Sequence, residues 1–346
     1  MAELTYKKEK EMKDTEKIME ILAKMPRFME NYHNSINRST EASSRLNYLR
    51  DLLLFFEYIS ENKDIEIKDI TPEVLDSLTA DYLNNYLTYL SQYEKGGAII
   101  TNDNVSLSRK QSSLRSLYNY LYGSDLIQNN PTAKETFKNP KIKKKTIVRM
   151  DDEETKEFLE TVEYGNNLTG QRAAYHNKYA FRDTALLSLM LGTGIRVSEA
   201  AGLNINDIDL KHHCMKVIRK GNKEDIVYYS DEVTEILRDY IYAYRKNLVP
   251  VEGHEDALFL SSQRKRISVR SIERLVEKYA ADSGILKHIT VHSLRKTFGS
   301  RLYEASSDLY LVAETLGHSS VETTKKAYAD LTNKHKEENR NVLSLK

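Results

Sequence analysis

The chain has a single cysteine, Cys214, in 346 residues, so no intrachain disulfide can form. It has no long apolar run. The longest, around Ala185–Leu191, is far short of the roughly 20 residues a membrane-spanning helix needs. The opening residues, MAELTYKKEK, carry no apolar core and no cleavage pattern, so no secretory signal is expected. A soluble, cytoplasmic protein is the expectation. Charge of one sign is not in excess either. Lys and Arg total 52 against 51 Asp and Glu, a formal net charge of +1, so a nucleic-acid partner would have to be met by segregating charge onto one face. Internal repeats and long low-complexity tracts are missing. So is a convincing metal site: His212, His213 and Cys214 are consecutive, and on a strand neighbouring side chains point to opposite faces. No carboxylate cluster suggests a two-metal nuclease, and no glycine-rich loop suggests a nucleotide. Chemistry without metal or cofactor is expected.

What is present is enough for real cores, with 40% hydrophobic residues, in a chain long enough for two domains. The first part, to residue 139, reads as helical. Leu52, Leu53, Phe56 and Ile59 recur at helical spacing, as do Leu83, Tyr86, Leu87 and Leu90, and Leu114, Leu117, Tyr118 and Leu121. Met19, Ile21, Leu22 and Met25 suggest one more helix near the start. Gly96 and Gly97 open what reads as a polar, exposed loop running to about Leu107, and Asp125–Pro131 breaks the helical pattern. Residues 140–147, with Pro140 and the lysines 141, 143, 144 and 145, read as a basic linker. From 148 to 346 the pattern mixes helices and strands. Met150–Glu154 is a helix entry with acids in its first turn, and Arg182–Leu191 is an apolar helix ended by Gly192 and Gly194. Met215–Arg219 and Ile226–Tyr229 flank a turn and form a β-hairpin, to which Ala257–Leu260 could add a third strand. From Ser268 onward the chain is helical again. The expected fold is therefore mainly α with a small antiparallel β-sheet, in two domains.

Several residues in the second domain suit phosphate chemistry. Arg196 follows Gly192–Thr193–Gly194–Ile195 and stands at the start of a helix, where a phosphate is welcome and a guanidinium can grip two of its oxygens. An exposed arginine paired with Glu199 would look the same. His292 and Arg295, spaced i, i+3, share a helical face, and Gly299 on nearly the same face leaves room for a close-packed substrate backbone. Leu294, Phe298 and Leu302 point toward a core. His318 follows Leu316–Gly317 at a helix–helix corner. Gly317 suits a helix C′ position, and Ser319–Glu322 fits a capping box for the next helix. Tyr328 lies ten residues beyond His318, near the end of that helix. It is one of 23 tyrosines, and Tyr303 and Tyr310 are competing candidates. Lys220 and Lys223 flank a Gly–Asn turn.

Each signal is weak alone, but their order and spacing resemble the tyrosine recombinase, or phage integrase, family. The carrying segments are TGIRVSEA, RKGNKE, VHSLRKTF, LGHSS and KKAYADL, within residues 148–332. The resemblance implies a catalytic set of Arg196, Lys220, His292, Arg295 and His318, with Tyr328 as nucleophile and Glu199 supporting the first arginine. Lys220 fits the family lysine better than Lys223, because it opens the turn. The His-to-Tyr interval is one residue longer than in typical Xer members. The N-terminal part resembles the helical core-binding (SAM-like) domain of the Xer group, through NVSLSR and LRSLYNYL, and looks most like the XerS branch, whose members act without a second recombinase. No separate arm-binding domain is expected before about residue 20. The implied function is site-specific cutting and exchange of double-stranded DNA through a 3′-phosphotyrosyl intermediate, in the Xer manner of chromosome dimer resolution. An integrase of a phage or transposon, a type IB topoisomerase and a catalytically inactive DNA-binding relative are the alternatives. DNA contacts are expected at Arg109, Lys141, Lys143, Lys144, Lys145 and Lys223. Exchange between two duplexes implies a homotetramer, joined head to tail by the segment after Asp330 with Leu331, Val342 and Leu343. A DNA translocase is a possible regulator.

Overall fold

The computed structural model describes residues 6–142, 147–166, 168–318 and 320–328, and not the side chains of Lys220, Thr323 and Lys326. Lys143, Lys144, Lys145 and the segment after Asp330 lie outside the described residues. The chain divides into two compact units, Met1–Lys145 and Thr146–Lys346.

The first unit is helical. Its α-helices are α1 (Tyr6–Leu22), α2 (Phe28–Asn37), α3 (Ala42–Lys63), the short α4 (Pro72–Asp76), α5 (Ala80–Ser91) and α6 (Asn104–Gly123). The apolar stripes expected from sequence meet in one core: Leu46, Leu49, Leu52, Phe55, Phe56 and Ile59 of α3 face Leu83, Tyr86 and Leu90 of α5 and Leu114, Leu117, Tyr118 and Leu121 of α6. In α1 the buried face is Ile18 and Leu22, while Met19 is exposed. The expected polar loop after Gly96 is instead a hairpin, β1 (Gln92–Lys95) and β2 (Ala98–Thr101), with Tyr93 opposite Ile100. Its two-residue turn is Gly96–Gly97, both at positive φ (62° and 78°), which matches the twist of the strands. Arg109, expected as a DNA contact, donates through both terminal guanidinium nitrogens to the Asp51 carboxylate of α3. Lys110 Nζ and Ser113 Oγ donate to the same buried carboxylate, each at 3.1 Å.

In the second unit α7 (Asp152–Tyr164) opens on a capping box in which Asp151 and Glu154 exchange side-chain and backbone bonds. The long helix α8 (Gly170–Thr193) packs against α7, and against α10 (Asp231–Asp239) and α12 (Val291–Ser306). From Asp183 to Met190 it is buried on every side, so its apolar run marks the central helix of the unit. A short α9 (Val197–Gly202) follows. The sheet is β3 (Ile208–Asp209), β4 (Cys214–Ile218) and β5 (Glu224–Tyr228), antiparallel in the order β3-β4-β5. The third strand is thus β3, not Ala257–Leu260. That segment makes only isolated bridges, Asn204 with Ala257 and Leu260 with Arg266, because its side chains are buried in the helical core. Helices α11 (Val269–Asp282), α12, α13 (Leu309–Thr315) and α14 (Val321–Ala327) complete the unit. The cap of α14 is Ser320, whose hydroxyl accepts from the Glu322 N–H, one residue later than the sequence pattern suggested. Among the described residues no helix is long and apolar enough to cross a membrane, and no cluster of His, Cys, Asp and Glu could hold a metal ion.

Candidate active site

The site grows from the end of α8. Gly194 closes that helix at φ 62°. A Cβ there would lie 2.5 Å from Phe298 and 2.8 Å from Leu316, so glycine lets the end of α8 press against α12 and the end of α13. Two residues on, Arg196 enters α9. Buried Glu199, three residues later, accepts from the Arg196 backbone N–H at 2.8 Å and from its guanidinium at 2.9 Å. The pairing therefore fixes the arginine and leaves it about one-third exposed.

Helix α12 brings the second arginine. Thr290 caps it, and Arg295 lies one turn in, 6% exposed. Its guanidinium donates to the Gly194 carbonyl at 2.6 Å and to that of Leu316. Burial first, then the charge of Arg196, pull its pKa down to about 10, still protonated at neutral pH. His292, at the exposed start of the same face, is held below the ordinary imidazole value by partial desolvation and then by Lys296 and Arg295.

At the C-terminus of α13 three successive carbonyls each accept from a different arginine. Thr315 accepts from Arg219 at 2.9 Å, Leu316 from Arg295, and Gly317 from Arg196 at 2.9 Å. A helix C-terminus leaves such carbonyls without partners and carries partial negative charge, so it draws guanidinium groups together that would otherwise repel. His318 comes next, with Nδ1 2.7 Å from the Thr324 hydroxyl on α14. Burial, then Arg295 and Arg196, push its pKa down to about 4, so the ring is neutral near pH 7.

Tyr328 follows the last turn of α14 and is 2% exposed, packed with Tyr303, Val312 and Leu316. Its hydroxyl lies over the backbone of Gly299, where a Cβ would come within 2.0 Å of Oη. The notch that the sequence assigned to a substrate backbone is therefore filled by the Tyr328 ring. Burial raises the phenol pKa, and the charges of Arg295 and Arg149 oppose that rise.

Lys220 opens the turn between β4 and β5, where Gly221 and Asn222 both take positive φ, 76° and 61°. Its side chain lies outside the described residues. Lys223, at the far side of the turn, is exposed.

Residues 148–335 match the phage integrase family, and residues 29–124 match its N-terminal SAM-like domain. The tyrosine recombinase XerS of Streptococcus uberis is 31% identical over 336 residues, which cover 89% of this chain and 93% of the relative. The chain belongs to the phage integrase family. It is an Xer-type tyrosine recombinase, XerS-like over most of its length, and so an enzyme of site-specific recombination. The XerC recombinase of Caldanaerobacter subterraneus subsp. tengcongensis is 30% identical over 293 residues, covering 80% of this chain and 75% of that protein. The fold is shared with the XerH recombinase solved bound to its difH substrate before cleavage, at TM-score 0.61 and 23% identity over 84% of this chain and 77% of that one.

In this recombinase Arg196, Arg295, His318 and Tyr328 come together around the end of α13. Glu199 lies beneath Arg196, and His292 stands on the α12 face leading to the corner. Arg109 and Lys141 belong to the other unit. Three contributors were missed in the sequence. Arg219, which directly follows β4, reads from sequence as one more alternating residue of that strand. Yet it lies on the same alternate set as Met215 and Val217, which was a signal, since a charge on a buried face has to be paired. Arg149 and Thr324 carried no local signal, because their roles come from residues distant in sequence or from one helix corner.

Proposed function

We propose that this recombinase cuts and rejoins double-stranded DNA at a specific site, with Tyr328 as nucleophile. The observation that carries the proposal is the convergence of Arg196, Arg295 and Arg219 on three successive carbonyls beside His318, with the Tyr328 phenol one helical turn from Arg295. Arg196 and Arg295 keep donors to spare for the non-bridging oxygens of a phosphodiester, whose charge grows in the transition state. His318, neutral near pH 7, can donate from Nε2 when the Thr324 hydroxyl donates to Nδ1.

In the step so assigned, Tyr328 Oη forms a bond to phosphorus as the bond from phosphorus to the 5′-oxygen breaks. The phenol proton passes to His292, whose lowered pKa keeps it a free base at neutral pH. Lys220 gives a proton to the departing 5′-oxygen. The 3′-phosphotyrosyl link keeps the energy of the diester, so rejoining to a 5′-hydroxyl of a partner duplex needs no nucleotide. Four protomers would act on two duplexes, linked head to tail through the segment after Asp330. Lys141, Lys143, Lys144, Lys145, Lys223 and Arg109 would neutralise phosphates. The XerS-like character over 89% of the chain supports chromosome dimer resolution in the cytoplasm, by one recombinase acting alone, with a DNA translocase as a candidate regulator.

The test is recovery of DNA covalently trapped on the protein in cells, followed by sequencing. The wild type is expected to yield one chromosomal locus and Tyr328→Phe none, although the variant still occupies that locus by reversible cross-linking. Recovery of the ends of a mobile element would move the role to integration. Absence of covalent DNA from the wild type would overturn the assignment.

A further inference from the structure

We infer that Arg219 is a positioning residue for Lys220, fixing the hairpin turn from which Lys220 acts. The inference rests on the reading of Lys220 as general acid. A general acid has to meet the departing oxygen at hydrogen-bond distance as the bond breaks. A lysine stem is long and flexible, so the backbone that carries it decides which positions its ammonium group can reach. The turn Lys220–Asn222 is short and exposed beyond Lys220, and two of its residues lie in the left-handed region. Something has to hold its base.

Arg219 is placed to do so. It directly precedes Lys220 and is 8% exposed. Its backbone N–H closes the turn on the Lys223 carbonyl at 2.8 Å. Its side chain leaves the hairpin in three directions. Nε donates across to Asp225 on β5 at 2.9 Å, one terminal nitrogen donates to Glu199 at 3.1 Å, and the other donates to the Thr315 carbonyl at 2.9 Å. The Gly317 backbone lies against the guanidinium so closely that a Cβ there would be 2.9 Å from Nε. Glu199 is also the carboxylate that holds Arg196, and the end of α13 also receives Arg295 and Arg196. The base of the turn is thus tied to the groups that would grip the phosphate. A buried guanidinium with all three nitrogens bonded is costly to move, so the tie is stiff.

The test compares a normal duplex carrying the trapped site with one in which sulfur replaces the 5′-bridging oxygen of the scissile phosphate. A thiolate leaves without a general acid. Arg219→Gln should cut the normal duplex slower by about tenfold or more, short of the roughly hundredfold or more that general acid catalysis contributes because Lys220 is displaced and not removed, and the sulfur duplex should recover most of that loss. Asp225→Ala, a change at a half-exposed residue that removes the acceptor of Arg219 Nε, should give the same pattern with the rest of the Arg219 network in place. It decides the matter if Arg219→Gln fails to fold. Lys220→Ala is the control. If the sulfur duplex does not restore it, the general-acid reading fails. If the sulfur duplex restores Lys220→Ala but both other variants are equally slow on the two duplexes, Arg219 serves the phosphate grip or the fold and the inference is overturned. Normal rates for Asp225→Ala on both duplexes overturn it as well.

Discussion

Gly299 and Tyr328 are 29 positions apart, yet the side chain that one lacks makes the space the other fills. A methyl group on residue 299 would sit 2.0 Å from Tyr328 Oη, 2.8 Å from Cζ and 3.0 Å from Leu316 Cδ1, so the ring has to move. Gly299→Ala should therefore keep DNA binding and lose covalent complex formation by about tenfold to a hundredfold, the scale on which a displacement of an ångström acts on a reacting group. The measurement is adduct yield against time beside a gel shift. An unchanged adduct rate would mean that the ring leaves this pocket before it reacts. At this scale the sequence was partly legible. The i, i+3 pair His292 and Arg295 and the position of Gly299 on their face followed from helical periodicity. The occupant of the notch did not, because periodicity describes one helix and says nothing of which distant side chain packs on it. Arg196 illustrates the same limit: a pairing with Glu199 and an open place at a helix start were alternatives on paper, and in the fold the paired arginine stays about one-third exposed.

At the scale of elements, the long helices were legible because their stripes are wide and their caps are conventional, as at Asp151 and Ser268. Short strands were less so. The Gly96–Gly97 turn is a strong hairpin signal, but the flanking strands have only four residues each and little buried surface, so no alternation announced them. Ala257–Leu260 erred the other way, since an apolar run of that length fits a strand or a buried extended segment equally well. The helix pair α3 and α6 depends on more than its apolar faces. Asp51 gathers Arg109, Lys110 and Ser113 across the interface. Asp51→Ala would leave the nearly buried Lys110 without its partner, while the half-exposed Arg109 could turn to solvent. A loss of about 3 kcal/mol, the lower end for breaking a buried pair, is expected in denaturant unfolding of the variant. A change within about 0.5 kcal/mol, as at ordinary surface positions, would show that the cluster contributes little.

For the whole molecule the formal charge of +1 is a poor guide, since the basic groups that matter are local. Acidic side chains are spent on caps and pairs, as at Asp151, Glu154 and Glu199, while the lysines 141, 143, 144 and 145 follow one another closely in the sequence. Affinity for duplex DNA should accordingly fall linearly with salt on logarithmic axes, by about 0.9 per phosphate neutralised. A flat response in a salt titration would contradict binding through segregated charge. The proposed chemistry turns on one covalent bond. Protein trapped on DNA in cells, digested with nuclease and protease, should yield a single peptide carrying a nucleotide remnant, and fragmentation should place the remnant on Tyr328. A remnant on Tyr303 or Tyr310, or on no tyrosine, would contradict it.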